Sequence, residues 1–395
     1  MEKYSLAQFN VVDKSIAQRA IIISELFFDG RVKIDYLDGS LCEDILSAKK
    51  CVKMMKSSNE IIKLDAGNSA TTLRLLVGAA VGLRREIEIS GDESLNKRCM
   101  KGLINALKHM NASVFGIEKT DKILPPIRVK QSDNLKAIEF NNEKLSAQIK
   151  SAVLLAGFNL DKKTIVYERV HTRNHTELML EYLNSFCKNS EIDLKIPFDI
   201  SAAAFIIALA ILKQGAMLKI SSLGINPTRT GYIEALKNAG FNINIIENGL
   251  YGLEKVGSIY VKYDANISLS PFNLDGDDIA RVIDEVPILC MVASFIKGES
   301  VFKNLGALKN KETNRINGIF YMLKSFGVDI KMIGDTLKIN GGEFKETKKP
   351  VIKSKDHRII MAAFIMGKLL KGCDIMYPEC VSVSYPNFFE DVKYI

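Results

Sequence analysis

The stretch "LDAGNSATTLRLL" (Leu64–Leu76) packs six small or polar residues, Gly67 to Thr72, just ahead of Leu73, Arg74 and an apolar run. Small residues at that density mark a turn, yet the residues after them have helical spacing. The pattern predicts a helix N-terminus, where Asn68 or Ser69 accepts hydrogen bonds from the free backbone N–H groups of the first turn. The plan is not used once. Polar clusters lead into helical apolar runs at "DKSIAQRAIIISEL" from Asp13, "GNSATTLRLLVGAA" from Gly67 and "LSAQIKSAVLLAGF" from Leu145. A second set is "DISAAAFIIALAIL" from Asp199, "DEVPILCMVASFI" from Asp284 and "DHRIIMAAFIMGKLL" from Asp356. Six starts at intervals of roughly 50 to 85 residues point to a repeated unit.

Between these segments lie short β-like runs and a second, more amphipathic helix, as in "KRCMKGLINALKHMNASV", "TGYIEALKNAGFNI" and "TNRINGIFYMLKSFGVDI". Strand signals include Arg85–Ser90, Met217–Leu223 and Asp335–Asn340. The alternation predicts an α/β protein built from repeated units. The six capped helices are apolar nearly all round, so they belong in the interior. Their N-termini carry the positive ends of the helix dipoles, and several such ends facing one place bind anions.

The 395 residues are enough for two domains, and 47% apolar with 25% charged residues is the balance of a soluble globular protein. The longest apolar run, Ala202–Leu212, is shorter than the roughly 18 residues of a membrane span. "MEKYSLAQFN" has no secretory-signal pattern, so a cytoplasmic location is expected. Seven cysteines (42, 51, 99, 187, 290, 373 and 380) without a C-x-x-C pair are read as thiols in a reducing compartment. The net charge of +8 comes from dispersed lysines with no tryptophan, which fits an enzyme of small anions better than a nucleic-acid binder.

No G-x-G-x-x-G occurs, and "GFNLDKKT" (Gly157–Thr164) has Lys162 where a phosphate loop needs its second glycine. "HTRNH" places His171 and His175 four apart, but no further ligands stand at metal spacing, so substrate contact or a helix start is the better reading. Other clusters carry cations and acids at helix starts. Lys14, Ser15 and Arg19 are one; Lys311, Glu312 and Arg315 another; "DHR" ends in Arg358; and "IDEVP" opens with Asp284 and Glu285. Together they supply cations for anionic groups, and carboxylates whose proton affinity a confined site can tune.

These residues give the chain a family resemblance. The segments "DKSIAQRA", "LDAGNSATTLRLL", "GDESLNKRCM", "SAQIKSAVLLAG", "TRNHTELML" and "DISAAAFIIA" come in order. After them come "NPTRTGYIEALKNAG", "IDEVPILCMVA", "NKETNRI", "KDHRIIMAA" and "VSVSYPNFFED". In this order they resemble the 5-enolpyruvylshikimate-3-phosphate synthase family over nearly the whole chain. The resemblance implies the enolpyruvyl transferase fold, inverse α/β barrel-like, with two similar domains each of three βαβαββ-like units. Residues 1–12 plus 198–395 would form one domain and residues 13–197 the other, with the active site in the cleft between them. It implies transfer of the enolpyruvyl group of phosphoenolpyruvate to the 5-hydroxyl of shikimate 3-phosphate, through a tetrahedral adduct, with release of phosphate. No metal or organic cofactor is implied, and a monomer that binds neither nucleic acid nor membrane is expected.

Carried over residue by residue, Lys14, Asp284 and Glu312 resemble the proton-transfer groups. Shikimate 3-phosphate would be held by Lys14, Ser15, Arg19, Ser146, Ala147, Gln148, Thr172, Arg173, Asp284 and Lys311. Phosphoenolpyruvate would be held by Lys14, Asn68, Ala70, Thr71, Arg98, Gln148, Arg315 and Arg358, where guanidinium forks suit carboxylate and phosphate. The chain departs from the family pattern at Val12, where glycine is usual, at Asn314, where aspartate is common, and at Val383, where some members have lysine. The connection from Met55 to Ile61 is short for the family. Ala70 stands where many relatives have glycine, and its methyl group would exclude an analogue slightly longer than phosphoenolpyruvate, which implies glyphosate tolerance. The sister transferase acting on UDP-N-acetylglucosamine is less similar. Its "KN" signature is missing, and Cys99 sits in "KRCMKG" instead of a glycine-rich reactive loop. A noncatalytic anion- or RNA-binding protein on the same fold is disfavoured by Lys14, Asp284 and Glu312 occurring together.

Overall fold

A computed structural model describes residues 5–6, 9–57, 61–117, 122–345 and 348–395. The short connection read between Met55 and Ile61 falls on residues 58–60, outside the described residues. The chain forms two compact units. One comprises Met1–Val11, Pro197–Leu250 and Lys255–Ile395; the other comprises Val12–Ile196 and Tyr251–Glu254. The boundaries read from the sequence, 12/13 and 197/198, each lie one residue later than these divisions, and the turn Tyr251–Glu254 joins the second unit.

One sheet plan occurs three times among the described residues. In spatial order the four strands are Ser5–Leu6, Met217–Gly224, Glu254–Lys262 and Ile243–Tyr251. The second sheet is Asn273–Leu274, Gly298–Phe302, Thr336–Phe344 and Val328–Ile333; the third is Ile62–Asp65, Ile87–Ser90, Ile127–Lys130 and Ser113–Gly116. In each, the first pair is parallel and the second pair antiparallel. Three two-stranded parallel ladders complete the set: Val32–Asp35 with Ile192–Lys195, Glu139–Asn141 with Ile165–Tyr167, and Val351–Ile352 with Asp374–Ile375. A parallel pair cannot be joined by a tight turn, so the chain between its strands must cross over, which is where the helices come from.

Each unit has its own apolar core. The helices Lys14–Phe27, Ala70–Gly82, Ala147–Gly157, Ile200–Leu212, Val286–Ala293 and His357–Leu369 run through them. Five start on a side-chain cap: Asp13, Ser69, Ser146, Asp199 and Asp356 accept from backbone N–H groups two or three residues on. Each cap is worth about 1 kcal/mol. The sixth start corrects the sequence reading. Asp284 does not cap; the helix begins at Val286 after Glu285, with Pro287 in its first turn and no side-chain cap bond. The Asp284 carboxylate is instead engaged by Lys311 and Arg315, cations from a distant segment.

In the second unit two of these helices meet along a seam of small residues. A Cβ added to Gly78 would lie 2.6 Å from the Ala152 Cα, and one on Gly82 would lie 2.5 Å from the Leu155 carbonyl oxygen. Only glycine permits this approach, which carries Thr71 and Gln148 to each other at the helix starts. Gly78→Ala is therefore expected to destabilise the protein by about 1–3 kcal/mol through overpacking. Chemical denaturation reads the change. Gly67, at φ +57°, makes the turn ahead of the cap, with its N–H donating to Asp65 Oδ1 at 2.9 Å. Among the described residues no helix is long and apolar enough to cross a membrane. None of the described cysteines forms a disulfide, and burial pushes the Cys51 thiol up to about 12.

Candidate active site

In the second unit three helix N-termini are tied together by side chains. Gln18, from the helix behind Asp13, donates to Ser69 Oγ at 2.7 Å, the atom that also caps Thr72 N at 3.1 Å. Gln148 donates from Nε2 to Thr71 Oγ1 at 2.8 Å, and Arg74 Nη1 donates to Gln148 Oε1. The positive ends of three dipoles are thereby held in one group of contacts, the arrangement that favours an anion. Lys14 stands at the first of these starts, its ammonium 2.7 Å from Asp44 Oδ2 and its side chain 18% exposed. Asn68 donates to Asp92 Oδ2 at 2.7 Å and offers its amide oxygen to Arg98 Nη2 at 3.4 Å. Ala70, 7% exposed, is the first residue of its helix, between Ser69 and Thr71.

Arg19 is placed differently from Lys14 and Ser15. It is only 2% exposed, and its Nε donates to Thr176 Oγ1 at 2.9 Å, Nη1 to the Ser15 carbonyl at 2.7 Å and Nη2 to Ser151 Oγ at 3.1 Å. These bonds brace the helix start from beneath. Ser146 caps Ile149 N at 3.4 Å, and Ala147 and Gln148 form the first turn beyond it. The segment carrying Thr172 and Arg173 is drawn to the same helix. The Thr172 hydroxyl donates to Glu168 Oε1 at 2.6 Å, and buried Lys150 lies 2.9 Å from Glu168 Oε2. Burial alone would raise the Glu168 carboxyl, but the Thr172 hydroxyl and N–H and the Lys150 ammonium hold it below its usual value. His175 begins the helix His175–Asn184 and pairs through Nδ1 with Glu254 Oε1 at 2.6 Å, away from exposed His171. Its position is a helix start, one of the two readings made from "HTRNH".

The first unit gathers the remaining candidates around one guanidinium. Arg315 is 1% exposed; its Nε donates to Asp356 Oδ2 at 2.9 Å, and its Nη2 donates to Glu312 and to Asp356 Oδ1 at 3.3 Å. Asp284 Oδ1 lies 3.6 Å from Arg315 Nη1 and accepts from Lys311 Nζ at 3.2 Å. Burial by itself would lower the Arg315 proton affinity, but Asp356, Glu312 and Asp284 together drive it further above its usual value. Arg315 Nη1, also buried, makes no hydrogen bond of its own. Arg358 Nη1 donates to the main-chain carbonyl of Asp284 at 2.8 Å. Asp284 and Glu312 keep 15% and 19% of their side chains exposed, so two acids stay accessible above a sealed cation. Val383 ends the short helix Pro378–Val383 and has no polar side-chain atom to offer a phosphate.

Asp44, Arg74, Lys150, Glu168 and Asp356 are the polar residues of these groups that motif reading passed over as site members. Asp356 was legible as a cap; the others carry no local signal.

A model of the EPSP synthase family, 3-phosphoshikimate 1-carboxyvinyltransferase, matches residues 10–392. The 3-phosphoshikimate 1-carboxyvinyltransferase of Caldicellulosiruptor bescii is 36% identical, covering 96% of this chain and 94% of its own. That of Bacillus licheniformis is 35% identical, covering 96% and 95%. The solved structure of EPSP synthase from Acinetobacter baumannii matches at a TM-score of 0.78 and 29% identity, covering 100% of this chain and 96% of that one. The enolpyruvyl transferase NikO from Streptomyces tendae matches at 0.74 and 10% identity, a likeness of fold.

Proposed function

This chain belongs to the EPSP synthase family, and from that premise we propose how its two groups of side chains divide the family's reaction. The enzyme transfers the enolpyruvyl group of phosphoenolpyruvate to the 5-hydroxyl of shikimate 3-phosphate and releases phosphate, a step of aromatic amino-acid biosynthesis. Addition puts a proton on the methylene carbon and takes one from the 5-hydroxyl while the new C–O bond forms. Elimination takes a proton from the resulting methyl group, expels phosphate and restores the double bond.

Asp284 is proposed to accept the hydroxyl proton, with Glu312 and Lys14 serving the proton on and off carbon. The observation that carries this reading is that both carboxylates are anchored to one buried guanidinium yet remain partly exposed. Ser15, Ser146, Ala147, Gln148, Thr172, Arg173 and Lys311 would hold shikimate 3-phosphate, with Arg19 fixing their frame from below. Asn68, Thr71, Arg98, Arg315 and Arg358 would hold phosphoenolpyruvate, and the unused Arg315 Nη1 is a donor for its oxygens. The family's division into two domains of three repeats is proposed for the two units, and the enzyme is proposed to act as a cytoplasmic monomer without nucleic acid. Phosphate release with shikimate 3-phosphate, against UDP-N-acetylglucosamine as acceptor, tests the function. Release with the second acceptor alone would overturn it.

The Ala70 methyl group, at the first position of a helix whose start is proposed to face phosphoenolpyruvate, is proposed to exclude glyphosate while admitting the shorter substrate. Ala70→Gly is expected to become about tenfold or more sensitive to glyphosate, the scale set by one methyl group in a fitted pocket. Equal inhibition of the two proteins would refute the steric argument.

A further inference from the structure

Beneath the first turn of the helix Ala147–Gly157 lies a buried ion pair that no step of the reaction employs. Lys150 is 4% exposed. Its ammonium lies 2.9 Å from Glu168 Oε2 and 2.8 Å from Glu177 Oε1, and donates to the Thr172 carbonyl at 3.3 Å. Glu168, whose side chain is 5% exposed, returns to the same loop, accepting from Thr172 N at 3.0 Å and from the Thr172 hydroxyl at 2.6 Å. Its Oε1 also accepts from Asn142 Nδ2 at 2.5 Å. Asn142 in turn holds Ser146 twice, accepting from its N–H at 3.2 Å and donating to its carbonyl at 3.2 Å. An unbroken run of hydrogen bonds therefore links Ser146, at the cap of one helix, to Thr172, next to Arg173.

Taking a lysine and a glutamate out of water is costly, and a well-packed apolar pair in their place is often as stable or more so. Net stability is thus a weak reason for this pair to be here. Geometry is a stronger one. Apart from the contact with Glu177, every bond of the network ends on one of two segments, Asn142–Lys150 or Glu168–Thr172, and fixes the first against the second. No other chemistry in the unit requires that match, whereas a phosphate gripped from both segments does.

We infer that Lys150 and Glu168 are positioning residues for the phosphate-bearing substrate, a clamp that sets the Ser146 turn and the Thr172–Arg173 loop at the spacing one phosphate group spans. The inference rests on the proposal that these segments hold shikimate 3-phosphate. Displacing one of them by about 1 Å is enough to cost on the order of a hundredfold in a positioned reaction. A merely structural role would instead affect both substrates alike or neither.

The test uses the full chain and steady-state kinetics with each substrate varied in turn. Glu168→Gln keeps the shape but cannot accept all the hydrogen bonds that end on the carboxylate. Asn142→Ala cuts the link to Ser146 while leaving the Lys150–Glu168 pair intact, and so serves where Glu168→Gln does not fold. The expected result in either variant that unfolds cooperatively is a tenfold or greater rise in KM for shikimate 3-phosphate, with KM for phosphoenolpyruvate within twofold of native. Unchanged KM for shikimate 3-phosphate in Asn142→Ala, or an equal rise for both substrates, would overturn the clamp. Arg173→Ala separates the clamp from the substrate assignment beneath it. If it leaves KM for shikimate 3-phosphate unchanged, the substrate assignment fails and the clamp with it; if it raises that KM while the clamp variants do not, the clamp alone fails.

Discussion

Asp284→Asn is expected to lower kcat by about 10²–10⁴-fold, the usual contribution of a positioned general base, with much smaller changes in either KM. The variant isolates the chemistry well. Asparagine keeps the shape of the side chain and can still accept from Lys311, which lies 3.2 Å from Asp284 Oδ1. The bond from Arg358 ends on the Asp284 main-chain carbonyl and survives the exchange. Asp284 does not cap its helix, so no N-terminal turn is released. What is lost is the capacity to take a proton from the 5-hydroxyl. Phosphate release at saturating substrates measures the effect, and a kcat within tenfold of native would remove Asp284 from the role of base.

Asp356→Ala should have the largest effect on stability. The carboxylate is fully buried; it accepts from Arg315 Nε at 2.9 Å and Nη2 at 3.3 Å, and from the Arg358 N–H at 3.0 Å as the cap of its own helix. Removing one member of a buried pair costs about 3–5 kcal/mol, because the other charge stays behind. Glu312 and Asp284 still neutralise Arg315 in part, which places the expected loss near the lower end of that range, with the lost cap adding about 1 kcal/mol. For a unit of this size the midpoint of thermal unfolding should fall by roughly 10 °C. Asp356→Asn retains a good capping side chain and should recover that share alone. A midpoint within a degree or two of native in Asp356→Ala would show that Arg315 is held by other groups. Activity should fall too, since Arg315 carries Glu312 and faces Asp284.

The Asp284 start shows where reading along the chain succeeds and where it stops. "DKSIAQ", "GNSATT", "LSAQIK", "DISAAA" and "DHRIIM" were legible because a cap and its helix interact over two or three residues, and the sequence contains both partners side by side. "IDEVPI" presents the same local pattern and has the opposite outcome. Lys311 and Arg315 take the carboxylate, and Pro287 lets the helix begin two residues later than the pattern implies.

The site divides along the same line. The chain order of its motifs was enough to list Lys14, Arg98, Glu312 and their neighbours, and the resemblance to a family supplied their expected roles. It could not say that Arg19 would be sealed against Ser151 and Thr176, or that Asp44 would meet Lys14 across 30 positions. The partnership of Gln148 with Thr71 spans 77 positions and depends on glycine letting two helices touch at Ala152. Helix starts, core faces and strand alternation were determined by the sequence alone, because their energetics are local and periodic. Which carboxylate meets which cation was decided only by tertiary structure, since burial makes such pairs costly unless packing delivers both members to the same place.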